Sequence, residues 1–148
     1  MKSPEYLAQR FREADLKVTP QRIAVFEALN ASSGHSTADH VHNTVTETLP
    51  NVSLRTVYQV LHELIGIGEL VALDLGTGAL RFDHNLSPHH HLVCDTCSAV
   101  VDVPAMAVDV RLGGLAEMGI SVSSADLVMR GECTSCNVDQ VRNSNYQQ

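Results

Sequence analysis

The chain predicts an α+β protein: an N-terminal winged helix-turn-helix domain followed by a small C-terminal α/β domain with a four-cysteine site. Three observations predict it. The first half carries four successive helix starts, each marked by a capping Ser or Thr, and closes on two β-prone runs joined by Gly76-Thr77-Gly78. The second half switches to short β-prone runs around one helical stretch. The four cysteines of the chain, all in that second half, fall into two CxxC pairs, Cys94–Cys97 and Cys133–Cys136.

Ser3-Pro4-Glu5 pairs an N-cap with proline at the first helical position and opens a helix to about Ala14. Thr19-Pro20 repeats the device, and Ile23, Phe26 and Leu29 then give an apolar stripe. Thr37 caps a third helix with Val41 and Val45 inward, ending near Leu49-Pro50. Ser53 caps a fourth, whose buried face is Val57, Val60, Leu61, Leu64 and Ile65, closed by Gly66 and Gly68. Strands over 69–75 and 79–83 form a hairpin. Helix, short connection, capped helix and hairpin make a winged helix-turn-helix. Beyond it, strands are expected at Leu92-Val93, Val100–Val103, Ile120–Val122 and Leu127–Met129. A helix is expected from Ala105 to Met118, weakened by Gly113-Gly114. The domains read as 1–83, a hinge at 84–88, a second domain at 89–136, and a frayed polar tail at 137–148.

Charge bounds the function. The net charge of −7 divides into 7 Lys/Arg against 9 Asp/Glu over residues 1–81, and 3 against 8 over 82–148. That is not a generic polyanion binder, so any nucleic-acid affinity must come from a local patch on the first half. No apolar run approaches the roughly 20 residues that span a bilayer. Met1 to Ala31 carries charges throughout and nothing like a secretory signal, so a cytoplasmic location is expected. Eight histidines and no tryptophan tilt the expectation towards metal chemistry.

A CxxC turn offers two thiolates from one knuckle, and two knuckles complete the tetrahedral shell of a structural Zn²⁺. Disulfides are disfavoured in the cytosol, and a redox CxxC needs only one pair in a βαβ context that is absent here. A thiol switch that releases the zinc is the alternative.

On the fourth helix Arg55, Tyr58, Gln59 and His62 share one stripe opposite the core stripe. Arg and Gln can make bidentate contacts with base edges, and tyrosine can meet a thymine methyl or a phosphate. Lys17, Arg22 and also Arg10 and Arg12 are candidate phosphate clamps. The plainer alternatives are a solvated helix face or a protein–protein surface; the turn before and the hairpin after favour a DNA reader. With so little positive charge, one copy binds weakly, so a dimer reading two half-sites is expected.

Outside the cysteines, ligand candidates gather around the domain junction: Asp83, His84, His89-His90-His91 and Asp102. In an extended segment side chains alternate, which makes His89 and His91 a pair and leaves His90 on the other face. Imidazoles and carboxylates suit Fe²⁺, Mn²⁺ or Zn²⁺, the carboxylates favouring Fe or Mn. A solvated His-rich linker is the alternative.

Val18-Thr19-Pro20-Gln21-Arg22, Ser53-Leu54-Arg55-Thr56-Val57-Tyr58, Arg81-Phe82-Asp83, the run from His89 to Cys97 and the late Cys133–Cys136 together resemble the Fur family of metal-dependent repressors, from about Phe11 to Cys136. The resemblance implies a winged-helix DNA-binding domain, a C-terminal dimerisation domain, a zinc held by all four cysteines and a regulatory metal at the hinge. Carried over by position, the regulatory ligands fall on His35, Asp83, His89, His91 and Asp102. Aspartate at both 83 and 102 resembles the peroxide-sensing PerR branch. Pro88 and Ala125 stand where an additional family metal site would have ligands, leaving His90 and Asp109 as remnants.

What this resemblance implies is a homodimeric repressor on a palindromic operator in double-stranded DNA. Its Fe²⁺ reacts with peroxide and oxidises a ligand histidine, by resemblance His35 or His89, whereas Mn²⁺ is inert. An iron- or other metal-uptake regulator, Fur-, Zur- or Nur-like, is the alternative. A zinc hydrolase or deaminase needs an open zinc with three protein ligands and a nearby base; four thiolates close the shell, so neither an enzyme nor a small organic substrate is expected. A zinc-bearing protein-interaction module without a DNA role is the third possibility.

Overall fold

The computed structural model describes residues 2–32, 34–108, 114, 115 and 117–137. They fall into two compact units that part between Leu86 and Ser87.

The first unit holds four helices and a hairpin: α1 (Pro4–Glu13), α2 (Pro20–Ala31), α3 (Ala38–Thr48), α4 (Leu54–Gly66), β1 (Val71–Leu73) and β2 (Arg81–Asp83). Each helix starts where its cap predicts. The side-chain oxygens of Ser3, Thr19, Thr37 and Ser53 accept the backbone N–H of Tyr6, Arg22, His40 and Thr56, satisfying one otherwise orphaned donor per helix. The helices close over one core in which Phe11, Phe26, Val41, Val57, Leu61 and Phe82 are almost wholly buried. Phe11 and Phe26 meet edge-to-face with centroids 4.8 Å apart; removing either ring costs about 3–5 kcal/mol. The wing is shorter than expected, three residues per strand in antiparallel register Val71–Asp83, Ala72–Phe82 and Leu73–Arg81. Ser36 adds a bridge to Phe82, whose N–H donates to the Ser36 carbonyl at 2.8 Å.

One buried carboxylate ties the start of the chain to the wing. Glu69, 5 % exposed as a residue, accepts from Lys2 Nζ at 2.6 Å, Arg10 Nε at 2.6 Å and Tyr6 Oη at 3.2 Å. Burial alone would raise its pKa, but the Lys2 and Arg10 hydrogen bonds outweigh it and hold the carboxyl below its ordinary value.

The second unit is a three-stranded sheet of order β4-β3-β5, with β3 (His89–Cys94), β4 (Val100–Pro104) and β5 (Val128–Gly131). β3 runs antiparallel to β4 and parallel to β5. Two expectations are corrected here. Residues 105–107 form a single 3-10 turn after which Val108 is extended, and 117–119 is a turn, so no α-helix begins at Ala105 or ends at Met118; the glycines at 113, 114 and 119 oppose one. Ile120–Val122 forms no strand either. Residues 109–113, 116 and 138–148, with Asp109 and most of the expected tail, lie outside the described residues. No helix among the described residues is long and apolar enough to cross a membrane.

Candidate metal centres and nucleic-acid face

The parallel pairing of β3 with β5 assembles the cysteines. Its register sets Cys94 beside Gly131, and the Asp95 N–H donates to the Gly131 carbonyl at 2.8 Å. Cys133 therefore emerges at the strand end where the first knuckle turns. That knuckle closes on itself: the Ser98 N–H donates to the Cys94 carbonyl, the Cys94 N–H to that of Ala99, and Ser98 takes the left-handed conformation. The four Sγ atoms of Cys94, Cys97, Cys133 and Cys136 lie within 4.8 Å of one another. A tetrahedral shell with Zn–S bonds of about 2.3 Å sets its sulfurs about 3.8 Å apart; Cys97 and Cys133 are 3.8 Å apart. The residues fit the ion.

Their acidities are graded. The Cys133 N–H, then that of Cys97, donate to Cys94 sulfur and hold its pKa down to about 6. Cys136 is pushed up by hydrogen bonding with Cys97 and Cys133 and by desolvation. Cys97 is raised as well: the Ala99 N–H and Cys136 lower it, but Cys94, desolvation and Cys133 outweigh them. One thiolate forms readily, and further ones need a cation to balance them.

The imidazole and carboxylate candidates are prepared separately in each unit. In the first, the Ser36–Phe82 bridge carries an antiparallel register that sets His35 opposite Asp83. His35 Nε2 stands 3.5 Å from Asp83 Oδ2, with both side chains buried. Asp83 Oδ1 accepts the Asn85 N–H at 2.8 Å, which fixes the carboxylate plane. In the second, alternation along β3 brings the rings of His89 and His91 to 4.5 Å, edge to face. His90 lies on the opposite face, where its Nδ1 accepts the Leu127 N–H at 3.4 Å. His89 Nδ1 bonds the Ser87 carbonyl at 2.7 Å, which makes Nδ1 the protonated nitrogen and Nε2 the lone-pair donor. Asp102 is the register partner of His91, and its Oδ1 lies 3.9 Å from His89 Nε2. Adjacent donors on a shell of about 2.1 Å bonds stand roughly 3.0–3.4 Å apart, so the His35–Asp83 spacing suits one shared dication.

On α4, Val57, Val60, Leu61 and Leu64 are buried and Arg55, Tyr58, Gln59 and His62 are exposed. An open groove beside this stripe is lined by Lys17, Thr19, Gln21, Arg22, Thr56 and Gln59 among others.

A sequence model of the Ferric uptake regulator family matches residues 13–130. The chain belongs to that family. The peroxide-responsive repressor PerR of Staphylococcus aureus is 36% identical over 91 residues, 62% of this chain, and the match spans 62% of that relative's length. The transcriptional regulator FurA of Mycobacterium tuberculosis is 32% identical over 143 residues, covering 95% of this chain and 96% of FurA. Among solved structures, the Vibrio cholerae ferric uptake regulator Fur superposes with a TM-score of 0.70 at 25% identity, over 86% of this chain and 99% of that one.

Family members are transcriptional regulators, so the hydrolase or deaminase reading falls. In this Fur-family chain two expected phosphate clamps are otherwise engaged. Arg22, whose side chain is 14% exposed, donates Nη2 to Glu63 Oε1 at 2.6 Å, donates Nη1 to the Lys17 carbonyl, and lies over the Phe11 ring. A guanidinium neutralised and packed in this way braces α2 against α4. Arg10 is likewise spent on Glu69 and Glu13. Lys17, Arg55, Tyr58 and Gln59 stay exposed. Sequence reasoning missed Glu63 and Glu69; an acid among apolar residues at a helix end gives no sign of partners so far away in the chain.

Proposed function

We propose that the chain is a metal-dependent transcriptional repressor that binds palindromic duplex DNA as a homodimer and responds to peroxide. One observation carries the reading: each unit presents half of an imidazole–carboxylate donor set, His35 with Asp83 in one, and His89 and His91 with Asp102 in the other. Cys94, Cys97, Cys133 and Cys136 would hold a structural Zn²⁺. His35, Asp83, His89, His91 and Asp102 would hold a regulatory Fe²⁺ or Mn²⁺, a thiolate-free set that suits those ions.

The regulatory logic follows from dividing the ligands between a DNA-reading unit and a dimerising one. Unneutralised, Asp83 and Asp102 repel each other and favour an open arrangement. Neutralised by a shared ion they favour the closed one, so metal and DNA strengthen each other's binding reciprocally. A complete switch needs a differential affinity of about 10⁴, roughly 5.5 kcal/mol. Fe²⁺ held by these residues would supply peroxide reduction beside an imidazole, which Mn²⁺ would not. Loss of His35 or His89 as a ligand by oxidation then dismantles the set. Lys17, Arg55, Tyr58 and Gln59 would face the duplex. Met106, 95% exposed, and Met118, 71% exposed, with exposed Val101, Ile120, Val122 and Val128, support a partner on the second unit.

The test is DNA affinity, on duplexes selected from a random pool, of protein that retains thiolate zinc but lacks the second metal. Adding Mn²⁺ should tighten binding at least about a hundredfold, within the usual range of allosteric coupling. Equal affinity in the two states would overturn the proposal. A second reading, a regulator of metal uptake, is favoured by the superposition on the Vibrio cholerae ferric uptake regulator over 86% of this chain. Peroxide treatment of the Fe²⁺ form separates them: an unmodified protein that keeps its DNA supports the uptake regulator.

A further inference from the structure

Glu63 lies on α4 one turn beyond Gln59, on the margin between the buried and exposed stripes, its side chain 19% exposed. Its Oε1 accepts both Arg22 Nη2 at 2.6 Å and Gln59 Nε2 at 3.2 Å. The Arg22 ion pair holds the carboxylate in place, and Arg22 itself is held by the Lys17 carbonyl and the Phe11 ring. A carboxylate only accepts, so the Gln59 amide must turn its nitrogen towards Glu63. Its carbonyl oxygen and second N–H are then left side by side at the rim of the groove that Lys17, Thr19, Gln21 and Thr56 line.

Resting on the reading of α4 as the DNA-facing helix, we infer that Glu63, braced by Arg22, is a positioning residue that makes Gln59 selective for adenine. Adenine presents the N7 acceptor beside the N6 amino donor in the major groove, matching one N–H and one C=O in parallel. Guanine presents O6 in place of that donor, and a pinned amide would set carbonyl oxygen against carbonyl oxygen. A free amide could flip and donate to either guanine acceptor. Restraining the flip is what converts a tolerant side chain into a discriminating one.

The experiment uses the metal-loaded dimer and its preferred duplex, selected from a random pool. The position read by Gln59 is located as the one at which Gln59→Ala ceases to distinguish base pairs. That position should be adenine. Replacing it with guanine, or with 7-deaza-adenine, should weaken wild-type binding about tenfold, the scale of a bidentate contact. In Glu63→Gln, where residue 63 can donate as well as accept, the adenine-over-guanine ratio should fall to about threefold or less, with discrimination at the Arg55 position unchanged. Arg22→Met/Glu63→Met removes both charges together and should do the same; if it does not fold, the 7-deaza-adenine penalty in wild type and Glu63→Gln decides alone. Gln59→Arg should turn the preference to guanine. Sequence-selective binding whose adenine preference is indifferent to Glu63 overturns this inference and leaves the proposed function standing. Absence of any selective duplex removes both.

Discussion

Asp83 Oδ2 lies 3.5 Å from His35 Nε2, and the contact is set by backbone: the Ser36–Phe82 bridge aligns the segment before α3 with the last residue of the wing. Asp83→Asn keeps the shape and removes an anionic donor. It should weaken Mn²⁺ binding by at least roughly 10–100-fold, the loss that even outer-shell substitutions cause, while the zinc content stays at one per chain. Titration calorimetry with metal analysis checks both. Unchanged Mn²⁺ affinity would remove Asp83 from the proposed ligand set.

The thiolate cluster predicts a different outcome. Structural zinc contributes about 10–16 kcal/mol in small domains, and all four of its thiolates belong to the second unit. Cys136→Ser, or a strong chelator, should therefore collapse amide-exchange protection across β3, β4 and β5 while α1–α4 stay protected. Ligation requires thiolates, and apart from Cys94, held to about 6, the shifted thiols are raised. Zinc affinity should accordingly fall as pH falls and protons compete. A metal-free second unit with native protection would refute this.

Peroxide supplies the third. The Fe²⁺ form, treated with stoichiometric H₂O₂, should gain one oxygen atom, about 16 Da, on the peptide containing His35 or His89, and release DNA in step. The Mn²⁺ form should gain nothing. Modification of methionines alone, with DNA retained, would favour the uptake regulator.

Glu69 predicts an acid limit for the first unit. Its folded pKa lies below the ordinary 4.5. The stabilisation is thus fully present above that value and is lost as pH falls through the folded pKa. Thermal unfolding followed between pH 7 and 3 should show wild type losing more stability than Glu69→Gln below about pH 4.5. At pH 7 Glu69→Ala should cost about 1–3 kcal/mol, the scale of hydrogen bonds to a charged group. Parallel curves for the two proteins would show that Lys2 and Arg10 contribute nothing through Glu69.

Two cations on the first unit should separate by behaviour. Lys17→Ala should weaken binding uniformly across sequences and reduce the salt slope by about one. Arg22→Ala should instead lower the melting temperature, because its guanidinium is committed to Glu63 and Phe11. Affinity titrations at several salt concentrations, alongside melting curves, distinguish the two roles.

Much of this was legible in local chemistry. Four caps, three apolar stripes and a Gly-Thr-Gly turn determine α1–α4 and the wing, since caps act within one turn and periodicity needs no distant partner. The two CxxC spacings determine the four-cysteine cluster, and alternation along an extended segment pairs His89 with His91. The tertiary structure alone decided the rest. Nothing local to His35 marks it as the neighbour of Asp83; a single bridge between remote segments does. Nor could composition show that Arg22 is withdrawn from solvent by Glu63, that three donors converge on Glu69, or that a parallel partner strand delivers Cys133 to Cys94. Caps and periodicities are written in neighbouring residues, whereas ion pairs and strand registers exist only once distant segments have been brought together by burial of the core.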